Sequence, residues 1–496
     1  MNTNGLSVLR RSFAATTGLQ LRYLKQPPGP NFEDLQNYPN FDPERQHLLW
    51  EDISKKYGPV FQVKNNADSS MYFLSDASDI QKMFNITAKN PIRPFFDSFK
   101  LVREINESKF FDEEKLGILC QHGDEWWRVR SKVQVHTNKL QTIATYLPKM
   151  DDIAKDFVKR IDTLRNAENE MPENFMKELY KWALENVGLL SFNKRIGGFE
   201  GSEDSKHITE AADMIMKSIH ECEMGGDKSW MYAPNAPFRA LSENHDYLLR
   251  YIESEVSTCY EKLKNCNNVN MKSLNIIESL LLTPELTRKD VIITMLDFIF
   301  AAIDTTALTM AFTLYCLSNN PKYQMKLQQE LDNVVGDSEQ NLTPSHIRNL
   351  SITKAIVKES LRLYPIAYVQ VRQTLEDSEI GGFIIPKGAQ VMLRQQPMAK
   401  EETNFSRAEE FIPERWIRGN PMTKDWNHNM FAYFPFGFGT RSCVARRISE
   451  QEIYSLIARL FHKYNFEWKQ KSLNPKSHLQ LYPDLPLKFT VKERFP

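Results

Sequence analysis

Apolar and polar positions alternate with two different periods along the chain, and each stretch predicts its own kind of element. A helical pattern from Pro43 to Lys56 leads through Tyr57-Gly58-Pro59 into Val60-Phe61-Gln62-Val63, which alternates as a strand does. Met71-Tyr72-Phe73-Leu74 is a second predicted strand, running into a helix opened by Ser75 or Ser78. Residues 140–275 carry the spacing of several amphipathic helices, broken by Gly225-Gly226 and the apolar, Pro-interrupted stretch Trp230 to Phe238. The run Val291 to Leu317 is almost wholly apolar and stops at Ser318-Asn319-Asn320-Pro321. Thr287 and Asp290, three residues apart, predict its N-terminal cap. Further helices are predicted from Asn349 to Leu363 and from Val444 to Leu460.

At about 1.5 Å per residue the long apolar run would cross a whole domain. Read as a membrane span, it would place Asp297 and Asp304 inside the bilayer, at about 2.5–3.5 kcal/mol each. A buried central helix with a functional interruption accounts better for two acids in that run.

Composition adds a separate signal at the start of the chain. Residues 1–32 contain Arg10, Arg11, Arg22 and Lys25, and the first carboxylate is Glu33. Leucines among small polar residues complete the composition of a mitochondrial transit peptide; a basic tail without function is the other reading. Pro27-Pro28-Gly29-Pro30 marks a stiff boundary, so the predicted division is residues 1–30 as leader and 31–496 as folded body. Over the 496 residues the formal net charge is zero and no basic tract stands out, which argues against nucleic acid as a partner. The six cysteines form no CxxC pair, the pattern of a reducing compartment without a disulfide framework or structural zinc.

Chemistry concentrates in Phe436-Gly437-Phe438-Gly439-Thr440-Arg441-Ser442-Cys443-Val444-Ala445. Gly437 and Gly439 allow a sharp bend and close approach of the backbone to a flat partner. A cysteine before a helix N-terminus is stabilised as thiolate by free amides and the helix dipole. Arg441 adds a permanent cation beside whatever the sulfur binds. A lone cysteine also reads as a buried structural residue; a thiolate with an open apolar face opposite suits haem iron, where it favours O–O cleavage.

Phe436-x-x-Gly439-x-Arg441-x-Cys443 resembles the haem-ligand loop of the cytochrome P450 family, with Ala445 in place of the family's glycine two residues after the cysteine. Matching motifs follow in the family's order from about residue 57 to the C-terminus. The resemblance implies a mainly α fold with small β-sheets, in a single large domain, holding haem b. It makes Cys443 the axial ligand and places Trp126, Arg130, Arg372, Phe436 and Arg441 around the cofactor. Glu359 and Arg362 with Arg415 match a buried structural clamp; as an exposed pair the first two would contribute only about 0.2–0.5 kcal/mol. Ala301-Ala302-Ile303-Asp304-Thr305-Thr306 matches the oxygen-activation motif, with Ala302 where the family has glycine. Asp304 and Thr305 are the expected catalytic pair, an acid that relays protons and an alcohol that hydrogen-bonds beside the reacting oxygen. The Thr305 hydroxyl, competing for a backbone carbonyl, is expected to loosen the helix locally. Pocket residues by the same analogy are Phe298, Ala301, Ile366, Tyr368 and Val369, and Trp230 to Phe238 is the lid, whose aromatic side chains either touch the membrane peripherally or pack inward.

Lys354 and Lys358, four apart on one helix, are a like-charge pair that faces either solvent or an acidic partner. In mitochondrial-type members, lysines at these positions dock an adrenodoxin-like 2Fe–2S ferredoxin, and Arg446 with Arg447 would extend the patch. The function implied is a mitochondrial monooxygenase on the matrix side of the inner membrane. It would insert one atom of dioxygen into a lipophilic, sterol- or steroid-like substrate, with electrons from NADPH through a ferredoxin reductase and the ferredoxin. The alternatives are a thiolate-haem isomerase or dehydratase that rearranges a peroxide without external electrons, and a haem binder without catalysis.

Overall fold

Thr287 opens the longest helix with a reciprocal cap, its hydroxyl accepting from the Asp290 N–H while the Asp290 carboxylate accepts from the Thr287 N–H. In chain order the computed structural model runs α1 (Gln46–Tyr57), β1 (Val60–Asn66), β2 (Ser69–Leu74), α2 (Gly123–Asn138), α3 (Leu140–Leu164), α4 (Phe175–Phe192), α5 (Glu203–Met224), α6 (Ala236–Lys264), α7 (Arg288–Ser318), α8 (Ser351–Leu363), β3 (Val369–Gln373), β4 (Gln390–Arg394) and α9 (Arg446–Lys463), with shorter elements between. The structure describes residues 25–66, 69–106, 110–111, 115–224, 228–266, 274–336, 339–424 and 429–495. Most of the predicted leader and Gly225-Gly226 therefore lie outside the described residues.

Helix α7 is the axis of the molecule, packed on α4, α6 and α8. It is long and apolar enough to span a bilayer, yet 83% of its most apolar window is buried inside the protein. Ile299, Leu308, Met310 and Leu314 have no exposed surface. Side chains of that size each contribute about 1.5–3 kcal/mol on burial, which is why the helix is apolar on all sides. Asp297 is accommodated by Arg103 at 2.6 Å, the guanidinium also lying over the Phe99 ring. This is the mainly α, single-domain architecture with small sheets that the sequence implies.

The main sheet has the order β1-β2-β4-β3. β1 and β2 pair antiparallel, β2 and β4 parallel, and β3 and β4 antiparallel with Val371 opposite Met392. One face packs on α1, with Leu49, Trp50 and Ile53 against Phe61, Phe73 and Met392. The Pro27–Pro30 segment lies along β1, where the Gln62 N–H donates to the Pro28 carbonyl at 2.9 Å. A Cβ on Gly29 would fall 1.7 Å from the Gln62 carbonyl oxygen, so only glycine fits that approach.

Three boundaries differ from the sequence reading. The helix after β2 is capped by Asp76, whose carboxylate accepts from the Ser78 and Asp79 N–H groups; neither serine caps it. The segment predicted as one helix from Asn349 breaks at Leu350, and α8 starts afresh at Ser351. Its first amides are satisfied from elsewhere in the chain, Glu330 accepting from the Ile352 and Thr353 N–H groups at 2.6 and 2.9 Å. Helix α9 begins at Arg446, three residues after Cys443, because Gly439–Arg441 forms a separate turn.

Candidate functional site

Cys443 opens onto a cavity of about 380 Å³ between α7 and the loop that precedes α9. The loop is shaped by Gly437 and Gly439, at φ 73° and 72° in the left-handed region. A bond of 2.8 Å from the Cys443 N–H to the Phe436 carbonyl closes it. Phe298, Ala301, Thr305 and Thr306 of α7 line the cavity, with Ile366, Tyr368 and Val369 on another wall and Phe436 beside the sulfur. Burial pushes the Cys443 thiol up; the Ala445 amide and the Arg130 and Arg446 guanidinium groups act in the opposite direction.

Arginine is the second feature of this cavity. Arg93, Arg130, Arg372 and Arg441 all line it, and among the described residues no carboxylate pairs with any of them. Arg130 donates to the Ser442 carbonyl at 2.6 Å, and its Nε is buried without a partner. Arg93 Nη2 donates to the Leu119 carbonyl at 3.1 Å, its Nε likewise unpartnered. Arg372 donates only to the Val371 carbonyl. Arg441 is held by the Pro91 and Ile118 carbonyls and lies 4.2 Å above the Trp126 ring, whose own Nε1 has no partner. Burial lowers Arg372 to about 9 and Arg130 to about 10, and it lowers Arg441 as well, with the Arg93, Arg372 and Arg130 guanidinium groups acting in the same direction. Four cations share one buried space, an arrangement that calls for an anion.

Thr305 and Asp304 diverge. Thr305 lines the cavity, and its hydroxyl donates to the Ala301 carbonyl at 2.8 Å. Thr309 and Thr313 repeat that bond one and two turns on. The helix continues as α through all three, so the expected loosening is confined to these side-chain bonds. Asp304 does not line the cavity; it is 3% exposed and accepts from Tyr482 Oη at 3.4 Å. Burial and the Asp213 carboxylate raise its carboxyl to about 7, the Tyr482 hydrogen bond acting against them.

Glu359, Arg362 and Arg415 meet in the core. Glu359 Oε1 accepts from Arg362 Nη2, Arg415 Nε and the Ile412 N–H at 2.8, 3.0 and 2.8 Å, and Oε2 accepts from Arg362 Nε and Trp416 Nε1 at 3.0 and 2.7 Å. Arg362 also donates to the Ala408 and Glu410 carbonyls and Arg415 to that of Ser406. The two buried cations are thus hydrogen-bonded on all sides, the condition that makes such a cluster tolerable.

Lys354, Lys358, Arg446 and Arg447 lie on α8 and at the start of α9. Lys354 donates to the Arg348 carbonyl, Lys358 lies over the Trp416 ring, and Arg446 pairs with Glu450 at 2.9 Å. Glu450 acts electrostatically on Lys354, Lys358 and Arg446 alike, so one carboxylate lies near all three. In the predicted lid, Trp230 and Phe238 turn inward and stack at 5.9 Å, whereas Met231 and Tyr232 are 55% and 92% exposed.

Three polar groups near the site escape sequence reasoning. Arg93 stands between two prolines with no periodic signal. Tyr482 and Glu452 reach the site only through tertiary folding. Glu452 of α9 accepts from the Thr306 hydroxyl at 3.2 Å, and burial raises it to about 8.

A thiol open to the cavity, four arginines with no carboxylate partner among the described residues, and the unpartnered Arg93 Nε, Arg130 Nε and Trp126 Nε1 fit one kind of group: a flat dianion carrying a thiophilic metal, as in haem. The comparisons agree. The family model described as "Cytochrome P450" matches residues 26–491. "Cytochrome P450 CYP12A2" of Musca domestica is 28% identical over 91% of this chain and 86% of its own length. "Cytochrome P450 302a1, mitochondrial" of Drosophila melanogaster is 28% identical over 91% and 90%. "Cytochrome P450 27C1" of Danio rerio is 26% identical over 96% and 88%.

Proposed function

The chain belongs to the cytochrome P450 family of haem monooxygenases, and on that premise we propose a mitochondrial, ferredoxin-dependent enzyme acting on a lipophilic, sterol- or steroid-like substrate. One observation carries the site assignment: Cys443 and Thr305 line one cavity together with four arginines that pair with no carboxylate among the described residues. Cys443 would supply a thiolate to the haem iron. Trp126, Arg130, Arg372 and Arg441 would hold the haem carboxylates, joined by Arg93, and Phe436 lines the cavity beside the sulfur. Bound haem supplies the electron-transfer and dioxygen chemistry that side chains cannot. Thr305 hydrogen-bonds at the reacting oxygen, and Asp304 passes protons towards it. Glu359, Arg362 and Arg415 keep the segment before the cysteine loop in place without touching the reaction.

Phe298, Ala301, Ile366, Tyr368 and Val369 give the cavity an apolar wall suited to a lipophilic substrate. Lys354, Lys358, Arg446 and Arg447 form the docking face for an adrenodoxin-like ferredoxin. The basic, acid-free start of the chain and the relatives named as mitochondrial support a matrix location. Met231 and Tyr232 at the lid supply the contact with the inner membrane. Turnover of sterol probes with NADPH, adrenodoxin reductase and adrenodoxin tests this reading. Product that requires all three supports it; turnover of a lipid hydroperoxide without them contradicts it.

A further inference from the structure

Asp297 stands about two turns before Thr305 on α7 and belongs to a buried cluster that the proposed chemistry does not use. Its Oδ1 accepts from Arg103 Nη2 at 2.6 Å and its Oδ2 from the Leu119 N–H at 3.1 Å. Arg103, on the helix Asp97–Glu104, also donates from Nη1 to the Leu116 carbonyl and from Nε to His245 Nε2 of α6 at 3.3 Å. Its guanidinium lies over the Phe99 and Phe111 rings at 4.4 and 5.4 Å. None of Arg103, His245 and Asp297 is more than 1% exposed. The pair therefore grips residues 116–119 by a carbonyl and an amide. Gly117 makes the approach tight: at φ 79°, a Cβ there would fall 2.5 Å from Ile293 Cγ2 and 2.7 Å from both Arg103 Nη1 and Asp297 Oδ2. The same stretch of backbone also meets the arginines of the cavity. The Ile118 carbonyl accepts from Arg441 Nη1 at 2.7 Å, the Leu119 carbonyl from Arg93 Nη2 at 3.1 Å, and the Gln121 carbonyl from Arg441 Nη2. Leu119 is thus held by Asp297 through its N–H and holds Arg93 through its carbonyl.

We propose that Asp297 and Arg103 are positioning residues for haem: they fix residues 116–121, whose carbonyls in turn hold Arg93 and Arg441 where the haem carboxylates bind. This rests on the reading of the arginine-lined cavity as the haem site. Packing alone does not call for the ion pair, because an apolar pair of similar volume commonly fills a core at no loss of stability. A carboxylate, however, accepts from a guanidinium and a backbone amide at once. Asp297 thereby ties α7, the helix Asp97–Glu104 and residues 116–121 together at one point. Arg93 and Arg441 have no carboxylate partner among the described residues, so backbone carbonyls set their direction. A shift of those carbonyls moves two cations away from the cofactor's anions. Haem is then held less tightly, and the iron becomes harder to reduce because less positive charge stands near it.

Haem transfer from the loaded full chain to apomyoglobin tests this, with the reduction potential of the iron as a second reading. Asp297→Asn should speed haem loss about ten-fold, the scale of an outer contact to a metal site, and lower the potential. That variant leaves Arg103 buried without its partner, so Arg103→Met with Asp297→Leu serves as the control for stability. Removing both charges together should leave the unfolding midpoint of the haem-free protein close to the parent's, while haem loss stays as fast as in Asp297→Asn. The effects of Asp297→Asn and Arg93→Gln should not add, since the first acts through the second. Parent-like haem loss and potential in the charge-free pair overturn the positioning role and leave Asp297 a matter of core stability. Full additivity with Arg93→Gln overturns it as well. A parent chain that takes up no haem fails the haem-site reading itself, and this role with it; the other two failures leave that reading standing.

Discussion

Thr305 lines the Cys443 cavity while its neighbour Asp304 turns to Tyr482 on the far side of the same helix. One helix therefore holds a buried carboxyl on one side and presents a hydroxyl to the Cys443 cavity on the other. Thr305→Ala should keep oxygen consumption within about two-fold and raise the share released as hydrogen peroxide by about ten-fold, a general acid–base contribution. Thr305→Ser should restore the normal share. Peroxide yield per NADPH checks both variants.

The arginines ring a space that repels its own lining when empty. Among the described residues Arg372 donates only to the carbonyl of its own neighbour Val371, and burial lowers it to about 9. Arg372→Met should stabilise the haem-free protein, because a desolvated cation is replaced by an apolar chain. It should also speed haem loss to apomyoglobin by about ten-fold. Thermal unfolding of the haem-free form and haem-transfer kinetics read the two effects separately.

Glu452 gives the stability a signed pH dependence. Burial holds its carboxyl at about 8, above the ordinary 4.5. Between those values the folded state keeps a proton that the unfolded chain has released, so stability is lost as pH rises. Glu452→Gln should remove that slope. The unfolding midpoint of the variant relative to the parent should be higher at about pH 8 than at about pH 5.

The basic patch carries its own brake in Glu450, which pairs with Arg446. Lys354→Gln with Lys358→Gln should weaken adrenodoxin binding about ten-fold or more at low ionic strength and less at high ionic strength. Glu450→Gln should strengthen it. Calorimetric titration at two salt concentrations checks the pair, and equal affinities throughout would remove the docking face.

Groups legible in the sequence owe it to fixed local spacing. Cys443 and its glycines were visible because a turn and a helix start need particular residues at particular offsets. The reciprocal cap of Thr287 and Asp290 was visible for the same reason. Arg415 was placed beside Glu359 by motif, yet Trp416 Nε1 and the Ile412 N–H, which complete that cluster, carry no local signal. The break at Leu350 was hidden because Glu330, another helix's residue, supplies the cap. Arg93, Tyr482 and Glu452 were missed on the same ground: chain segments far apart bring them to the site. That Asp304 and Thr305 face apart follows from helical rotation of about 100° per residue, but what Asp304 faces is a tertiary fact.

The central claim is a thiolate from Cys443 on haem iron, and the carbon monoxide spectrum of the reduced protein tests it most directly. The parent chain should give the long-wavelength band of a thiolate complex. Cys443→Ser, purified with haem supplied, should lose that band entirely. A variant that keeps it would place the ligand on another residue and contradict the account.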